Sequence, residues 1–323
     1  MRGQSVMVIY GGISAEREIS IISSKEIIKS LKRLEYNVIE IDADPNLMKE
    51  IIYHKPDIIF NALHGTWGED GQVQEILEAS KISYTHSGVN ASRLAMNKFE
   101  SGQIFQKNNF FHPKSLLCNF KDLIGSDPMN FPYVIKPNDN GSSVGVAIIS
   151  SESDKNKYIK EMVASRTCSE ENDKLLVQEF IHGPEIQVAV YGNDKSGSIE
   201  IVPKNKFYDY ESKYFDNGQT QHIIPPRITN KQMEEVNILG LKAHKLLKCR
   251  GVSRSDFILD KKTGNFYILE TNTQPGMTSL SLVPEIAKFK GISFQNLVEK
   301  ILLNASLNRW ESPYFGWSHF FFF

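Results

Sequence analysis

The first 95 residues alternate short apolar runs with amphipathic stretches. Ser5 to Tyr10 reads SVMVIY. A helical pattern follows from about Ser14 to Leu34, then come the strand-like segments NVIEID and DIIFNAL. Apolar runs of strand length separated by a helix predict a βαβ-type parallel sheet. Pro113, Pro128 and Pro132 punctuate a more irregular middle section, which enters a strand at Tyr133 to Lys136 and turns through Asn138-Asp139-Asn140-Gly141, where a second lobe begins. From Leu175 onward VQEFI, EIQVAVYG and SIEIVP are strand-like runs separated by Gly183, Pro184 and Gly192, and a helix is expected near Lys231 to Leu247. That order predicts an α+β lobe around an antiparallel sheet. No internal repeat is present, and Phe320 to Phe323 form the one low-complexity tract.

The segment RSDFILDKKTGNFYILETN has the pattern of a hairpin, with two apolar strands flanking Lys261-Lys262-Thr263-Gly264. Asp256 lies five residues before that turn and Glu270 six after it. Glu270 and Asn272, two apart on an extended strand, face the same side. Two carboxylates and an amide oxygen thus converge. Carboxylates that close repel unless a cation neutralises them, and an all-oxygen cluster suits Mg²⁺. The alternative is a strand end carrying ordinary solvated acids.

VIKPNDNGSSVGV places Lys136 at the end of an apolar strand, then a polar turn with Gly141, Ser142, Ser143 and Gly145, then another apolar strand. Such a turn can drape over phosphates: glycines admit the anion to the backbone, hydroxyls and N–H groups donate to it, and lysine supplies charge. A plain hairpin turn is the alternative. The pattern is neither the dinucleotide-binding GxGxxG nor a P-loop.

Composition narrows the class. The 323 residues are enough for two or three lobes with large cores. With 37 Lys and Arg against 38 Asp and Glu, the formal net charge is −1, so no broad field recruits nucleic acid or an anionic membrane. Cys118, Cys168 and Cys249 are odd in number and far apart, which fits reduced thiols and a cytoplasmic setting rather than a disulfide framework or a zinc site. The run Val6 to Tyr10 is too short for a signal-peptide core and is stopped by Gly11-Gly12. No stretch approaches the roughly 20 apolar residues needed to cross a bilayer. The aromatic tail, with Trp310, Tyr314, Trp317 and the terminal phenylalanines, is expected to pack on its own domain or on a partner subunit; membrane contact is the alternative.

Several segments together resemble, in order, the motifs of D-alanine:D-alanine ligases of the ATP-grasp superfamily: GGISAEREIS from Gly11, ALHGTWGEDG from Ala62, SGVNASRLAMNK from Ser87, VIKPNDNGSSVG from Val134, HGPEIQVAV from His182, FYDYESKY from Phe207, SRSDFILD from Ser253 and LETNTQPGMTSLSLVP from Leu269. The resemblance spans roughly Val6 to Asn296, and FYDYESKY and the NTxPGMT run are its most specific parts. It implies a mixed α/β and α+β chain in a three-lobed ATP-grasp fold. The N-terminal α/β substrate-binding lobe would have a parallel sheet and cover 1–95, the central ATP-grasp lobe 96–175, and the C-terminal ATP-grasp lobe with the metal site 176–310, followed by the aromatic tail 311–323. It also implies two D-alanines joined through an acyl phosphate for peptidoglycan precursor synthesis, with ATP and two Mg²⁺ ions (Mn²⁺ as a substitute), in a cytoplasmic homodimer without nucleic-acid or membrane partners.

Residue roles follow from the same resemblance. Glu16, in the first turn of the helix after Gly11-Gly12, would hold the ammonium of the first D-alanine, assisted by His64. Ser142 and Tyr214 would join Glu16 in orienting that substrate, and Lys213 with Tyr214 would close over the γ-phosphate. Lys98 and Lys136 match lysines on the ATP phosphates. Gln178, Glu179, Phe180 and Ile181 would line adenine, with Phe207 against its face and Glu185 on the ribose. Asp256, Glu270 and Asn272 would hold the metal. Arg254 and the Gly276 N–H would stabilise a tetrahedral oxyanion, and Ser281 and Leu282 would receive the second D-alanine. Two positions depart from the family pattern: Gln178 stands where relatives carry an acid, and Thr271 where they tend to be apolar. A ligase using D-lactate or D-serine is the nearest rival, and Lys213-Tyr214 favours the amine. A non-catalytic ATP-binding sensor would not need the carboxylate set.

Overall fold

The computed structural model describes residues 3–139, 141, 145–165, 174–192, 195–202, 220–278 and 280–307. Chain order begins β1 (Ser5–Gly11), α1 (Arg17–Arg33), β2 (Asn37–Ala43), α2 (Leu47–His54), β3 (Ile58–Asn61), α3 (Gln72–Ser80), α4 (Val89–Met96) and α5 (Lys98–Lys107). It continues with β4 (Ser115–Asn119), α6 (Phe120–Gly125), β5 (Tyr133–Pro137), β6 (Ala147–Ile149), α7 (Glu152–Ser165), β7 (Lys174–Glu179), β8 (Glu185–Tyr191), β9 (Ser196–Val202) and β10 (Gln221–Ile223). The last elements are α8 (Asn230–Leu246), β11 (Val252–Leu259), β12 (Phe266–Asn272), α9 (Leu282–Phe289) and α10 (Phe294–Leu303).

The parallel N-terminal sheet has the order β2-β1-β3. Helix α1 covers it with Ile19, Ile27, Ile28 and Leu31, while the buried Ser20, Ser23 and Ser24 on the same helix allow close approach to the sheet. Each large aliphatic side chain buried there contributes about 1.5–3 kcal/mol. The helix ends where Glu35 turns left-handed at φ 64°.

Two antiparallel sheets follow: four strands in the order β4-β7-β5-β6 and five in the order β10-β9-β8-β11-β12. The sequence grouped the VQEFI strand with the two after it. In the structure β7 instead lies between β4 and β5, and the change of sheet falls at the Gly183-Pro184 turn. Leu175, Leu176 and Val177 are fully buried, so both faces of β7 are covered, as suits an interior strand. Helices α4 and α5 also contribute Ala95 and Phe105 to a core with Ile186, Val188 and Phe257 of the five-stranded sheet.

One core runs from Val6, Val8, Ile27 and Phe60 of the N-terminal lobe to Ala189, Ile199, Val283, Ile286 and Ile301. The N-terminal and five-stranded sheets are thereby welded together. The four-stranded sheet keeps a core of its own around Leu123, Tyr133, Ile135 and Val177. Among the described residues no helix is long and apolar enough to cross a membrane.

Candidate functional site

The segment forms the expected hairpin. Asp256 stands directly opposite Glu270, Ser255 opposite Thr271, and Arg254 opposite Asn272. A bulge follows at Asp256/Phe257, a device that commonly re-aims side chains beside a functional site. The polar Thr271, unexpected at an apolar position, is buried and hydrogen-bonds Ser255 Oγ through Oγ1 at 2.8 Å, so it closes a cross-strand pair.

Arg254 Nε and Nη2 donate to the two oxygens of Asp256 at 2.7 and 3.0 Å, a bidentate pair. Glu270 Oε2 lies 3.8 Å from Lys98 Nζ and 4.0 Å from Lys136 Nζ. These lysines come from different elements. Lys136 ends β5 and Lys98 begins α5, and Asn138 joins the two: its Oδ1 accepts from the Phe99 N–H at 3.0 Å and its Nδ2 donates to Asn97 Oδ1 at 2.9 Å. Asn97 in turn caps α5 by accepting from the Glu100 N–H. The sequence reasoning missed Asn138 and Asn97, whose signal was an Asn-Asp-Asn turn and an Asn before a helical pattern.

On the opposite wall of the same cleft are Glu16, His64 and Glu69. Glu16 sits at the N-cap position of α1 and is buried. Its room is made by glycine: a Cβ on Gly65, whose φ is +70°, would come within 3.1 Å of Glu16 Oε1. The loop 64–69 holds a non-glycine left-handed residue, Trp67 at φ 70°, strain of the sort that gathers at functional loops. Glu69 Oε1 accepts from the Gly65 N–H at 2.9 Å, while its Oε2 is buried without a hydrogen-bond partner. Burial, then the charge of Glu16, hold the Glu69 carboxyl well above the usual range. His64 is pushed down to about 4 by burial, partly offset by its hydrogen bond to the Gln274 carbonyl. Two buried carboxyls facing one cleft constitute a receptor for a cation such as an ammonium.

Gly141, Arg254, Glu270, Asn272 and Gly276 line this cleft as well. Asn272 Oδ1 accepts from the Gln274 N–H at 2.7 Å, which fixes its amide. The structure thus brings Glu16, His64, Lys98, Lys136, Arg254, Asp256, Glu270, Asn272 and Gly276 into one neighbourhood. Ser281 and Leu282 do not line the cleft. Ser281 Oγ bonds the Thr278 N–H at 2.9 Å, and the Leu282 side chain is in the shared core, so the helix-start character of this pair is what its side chains express. Gln178 faces the same side of β7 as Leu176, the partner of Lys136, and its Nε2 donates to Ser115 Oγ at 2.9 Å, leaving Oε1 for another donor. Glu179, Phe180, Ile181 and Glu185 lie off the cleft lining, along the connection from β7 to β8, with the Phe180 and His182 rings edge to face at 4.6 Å and Glu185 Oε1 accepting from Gln187 Nε2. Ser142, Phe207, Lys213 and Tyr214 are outside the described residues.

Comparison with known proteins agrees with this geometry. A family model described as the D-ala D-ala ligase C-terminus matches residues 103–303. The chain is 47% identical over 313 residues to the D-alanine–D-alanine ligase of Pelagibacter ubique, covering 95% of this chain and 99% of that protein. It is 45% identical over 305 residues to that of Wolbachia pipientis, covering 94% of each. The crystal structure of D-alanine–D-alanine ligase from Bacillus anthracis complexed with ATP superposes with a TM-score of 0.76 at 29% identity, covering 94% of this chain and 97% of that one. Family model, relatives and ATP-grasp fold converge, and the chain belongs to the D-alanine–D-alanine ligase family.

Proposed function

We propose that this chain joins two D-alanines to D-alanyl-D-alanine with conversion of ATP to ADP and phosphate, supplying a peptidoglycan precursor. The observation that carries the reading is one cleft with a paired-carboxyl wall, Glu16 and Glu69, facing a cationic and oxygen-rich wall, Lys98, Arg254, Glu270 and Asn272. The first wall suits an ammonium and the second suits phosphates. An amino acid fixed between them presents its carboxylate to the γ-phosphate.

A carboxylate does not react with amines because its oxygen is a poor leaving group. Transfer of the γ-phosphoryl group to that oxygen gives an acyl phosphate, and the second amine then displaces phosphate through a tetrahedral intermediate. Positioning and charge stabilisation supply the rate. In this reading Lys98 and Lys136 hold phosphate oxygens, Glu16 and His64 hold the first D-alanine, and Arg254 with the Gly276 N–H donates to the oxyanion. Ser142 belongs to the group that orients the first substrate. Ser281 and the N-terminus of α9 at Leu282 receive the second. Lys213 and Tyr214 exclude the water that would hydrolyse the acyl phosphate. Gln178 to Ile181, Glu185 and Phe207 hold adenosine.

The donor set fits Mg²⁺ or Mn²⁺: Asp256, Glu270 and Asn272 offer only oxygen, on adjacent positions of one hairpin. Two ions there would neutralise phosphate charge and polarise the γ-phosphoryl group. Arg254, Lys98 and Lys136 carry the counter-charge to these carboxylates in the structure and are placed to turn to substrate oxygens. The three lobes, a homodimeric assembly and a cytoplasmic location belong to the same proposal. Reduced Cys118 and Cys249 support that location.

Purified protein given ATP, Mg²⁺ and D-alanine is expected to release phosphate and D-alanyl-D-alanine, with D-serine and D-lactate poorer as second substrates. Folded protein that makes no dipeptide would refute the reading. Asp256→Asn is expected to lower kcat by at least about a hundredfold, and retained turnover would remove Asp256 from the site.

A further inference from the structure

Two fully buried amides, Asn61 at the end of β3 and Gln274 just after β12, meet across the boundary between the N-terminal and five-stranded sheets. Asn61 Nδ2 donates to Gln274 Oε1 at 3.0 Å, and Gln274 Nε2 donates to the Leu63 carbonyl. Asn61 Oδ1 accepts from the Leu63 N–H at 3.1 Å, and its Nδ2 also reaches the Gly68 carbonyl at 3.2 Å. The Gln274 backbone engages both sides as well: its carbonyl accepts from the His64 ring, and its N–H donates to Asn272 Oδ1 at 2.7 Å. The polar atoms of the two amides are thus satisfied by one another and by the backbone of the loop 63–68.

Neither amide lines the cleft, and both are buried. What the amides supply is direction. The loop they grip carries His64 and Glu69, and the strand end they grip carries Asn272. We propose that Asn61 and Gln274 are positioning residues that lock the first-substrate loop to the metal-holding strand, so that ammonium and phosphate sites keep a fixed separation. The inference rests on the placement of the first D-alanine at His64 and Glu69 given above.

The test uses the full-length enzyme with Gln274→Met, which keeps chain length and removes the amide, Asn61→Leu, and the double variant. Measured are kcat, the apparent KM for D-alanine at the site filled first, the KM for ATP, and urea stability. D-alanine affinity is also taken by calorimetry with a non-hydrolysable ATP analogue. Gln274→Met is expected to raise the D-alanine KM roughly ten- to hundredfold, with the ATP KM within about twofold. The double variant removes the unpaired amide that each single variant leaves, so it should recover part of the stability, the Leu63 N–H and carbonyl still lacking these partners, but not the KM. An unchanged D-alanine KM in folded Gln274→Met, or a KM that recovers together with stability, would overturn the proposal. Failure of both single variants to fold would overturn it too, by making the pair structural. If wild-type protein makes dipeptide while the variants keep their KM, the clasp alone falls. If wild-type protein makes none, the function falls, and the calorimetric affinities still decide the clasp.

Discussion

His64 offers a prediction whose size can be worked out from its surroundings. Its ring is buried beneath the cleft, bonded to the Gln274 carbonyl and 3.4 Å from Ser23 Oγ, and burial pushes it down to about 4 from an ordinary value of 6.5. Because the folded value lies below the unfolded one, the unfolded chain takes up the extra proton between these limits, and stability falls as pH falls through that window. The full loss is about 3 kcal/mol, at about 1.4 kcal/mol per unit of difference, and about 2 kcal/mol of it is expressed between pH 7 and pH 5. Replacing His64 by Gln carries its own cost, but that cost is the same at both pH values and cancels in the difference. Urea unfolding at pH 7 and pH 5 should therefore show His64→Gln losing about 2 kcal/mol less than wild type over this interval. His112 and His244, each held down to about 4 by burial, keep both proteins acid-sensitive and affect them equally; His86, held down to about 3 by burial and then by the charge of His64, is relieved in the variant, which adds to the difference in the same direction. Parallel losses in the two proteins, or an imidazole resonance of His64 that titrates near 6.5, would refute the reasoning. On the proposed placement of the first D-alanine, His64 would meet it as a neutral hydrogen-bonding group, and the acid limb of D-alanine kcat/KM would belong to another residue.

Lys98→Met and Lys136→Met are each expected to raise the KM for ATP roughly ten- to hundredfold, the worth of a hydrogen bond to a charged group, and to leave D-alanine KM nearly unchanged; steady-state kinetics with each substrate varied would show otherwise if the lysines serve only Glu270. Gly141→Ala would put a Cβ 2.9 Å from Glu16 Oε1, close enough to displace that carboxylate by a few tenths of an ångström. It should raise the D-alanine KM several-fold with little change in Tm, and an unchanged KM would separate Gly141 from the first-substrate site.

The parallel sheet, the long first helix and the hairpin itself were legible because each is written in local periodicity and turn chemistry. Alternation around Lys261 to Gly264 pairs the two strands but would set Asp256 against Leu269; the bulge at Asp256/Phe257, which alternation does not reveal, brings it opposite Glu270. The assignment of β7 to a sheet was not legible, because a six-residue strand with a short apolar run, Leu175 to Val177, pairs equally well with whatever lies beside it; only the competition among β4, β5 and β8 decides. Likewise, motif spacing placed Glu16 and Lys98, but it could not show that Asn138 draws Lys98 toward Lys136, since a turn asparagine looks alike whether it caps its own turn or another helix.

The buried polar residues mark the limit most sharply. Thr271, Asn61 and Gln274 look like faults in apolar segments when read along the chain, and each is explained by a partner 16 or 213 residues away. Burial makes an unpaired amide costly, so such residues persist only where the fold supplies the partner, and the partner's location then reports which segments must stay in register. Here the registered segments are the loop with His64 and Glu69 and the strand end with Asn272, and they belong to the two lobes that also share one apolar core. The four-stranded sheet has a core of its own, and it meets this half at the cleft, where Lys136 lies 4.0 Å from Glu270 Oε2 and Gly141 sits against Glu16. On the proposed reading, amino-acid site and metal hairpin are thus held as one body, through a core separate from that of the sheet carrying Lys136.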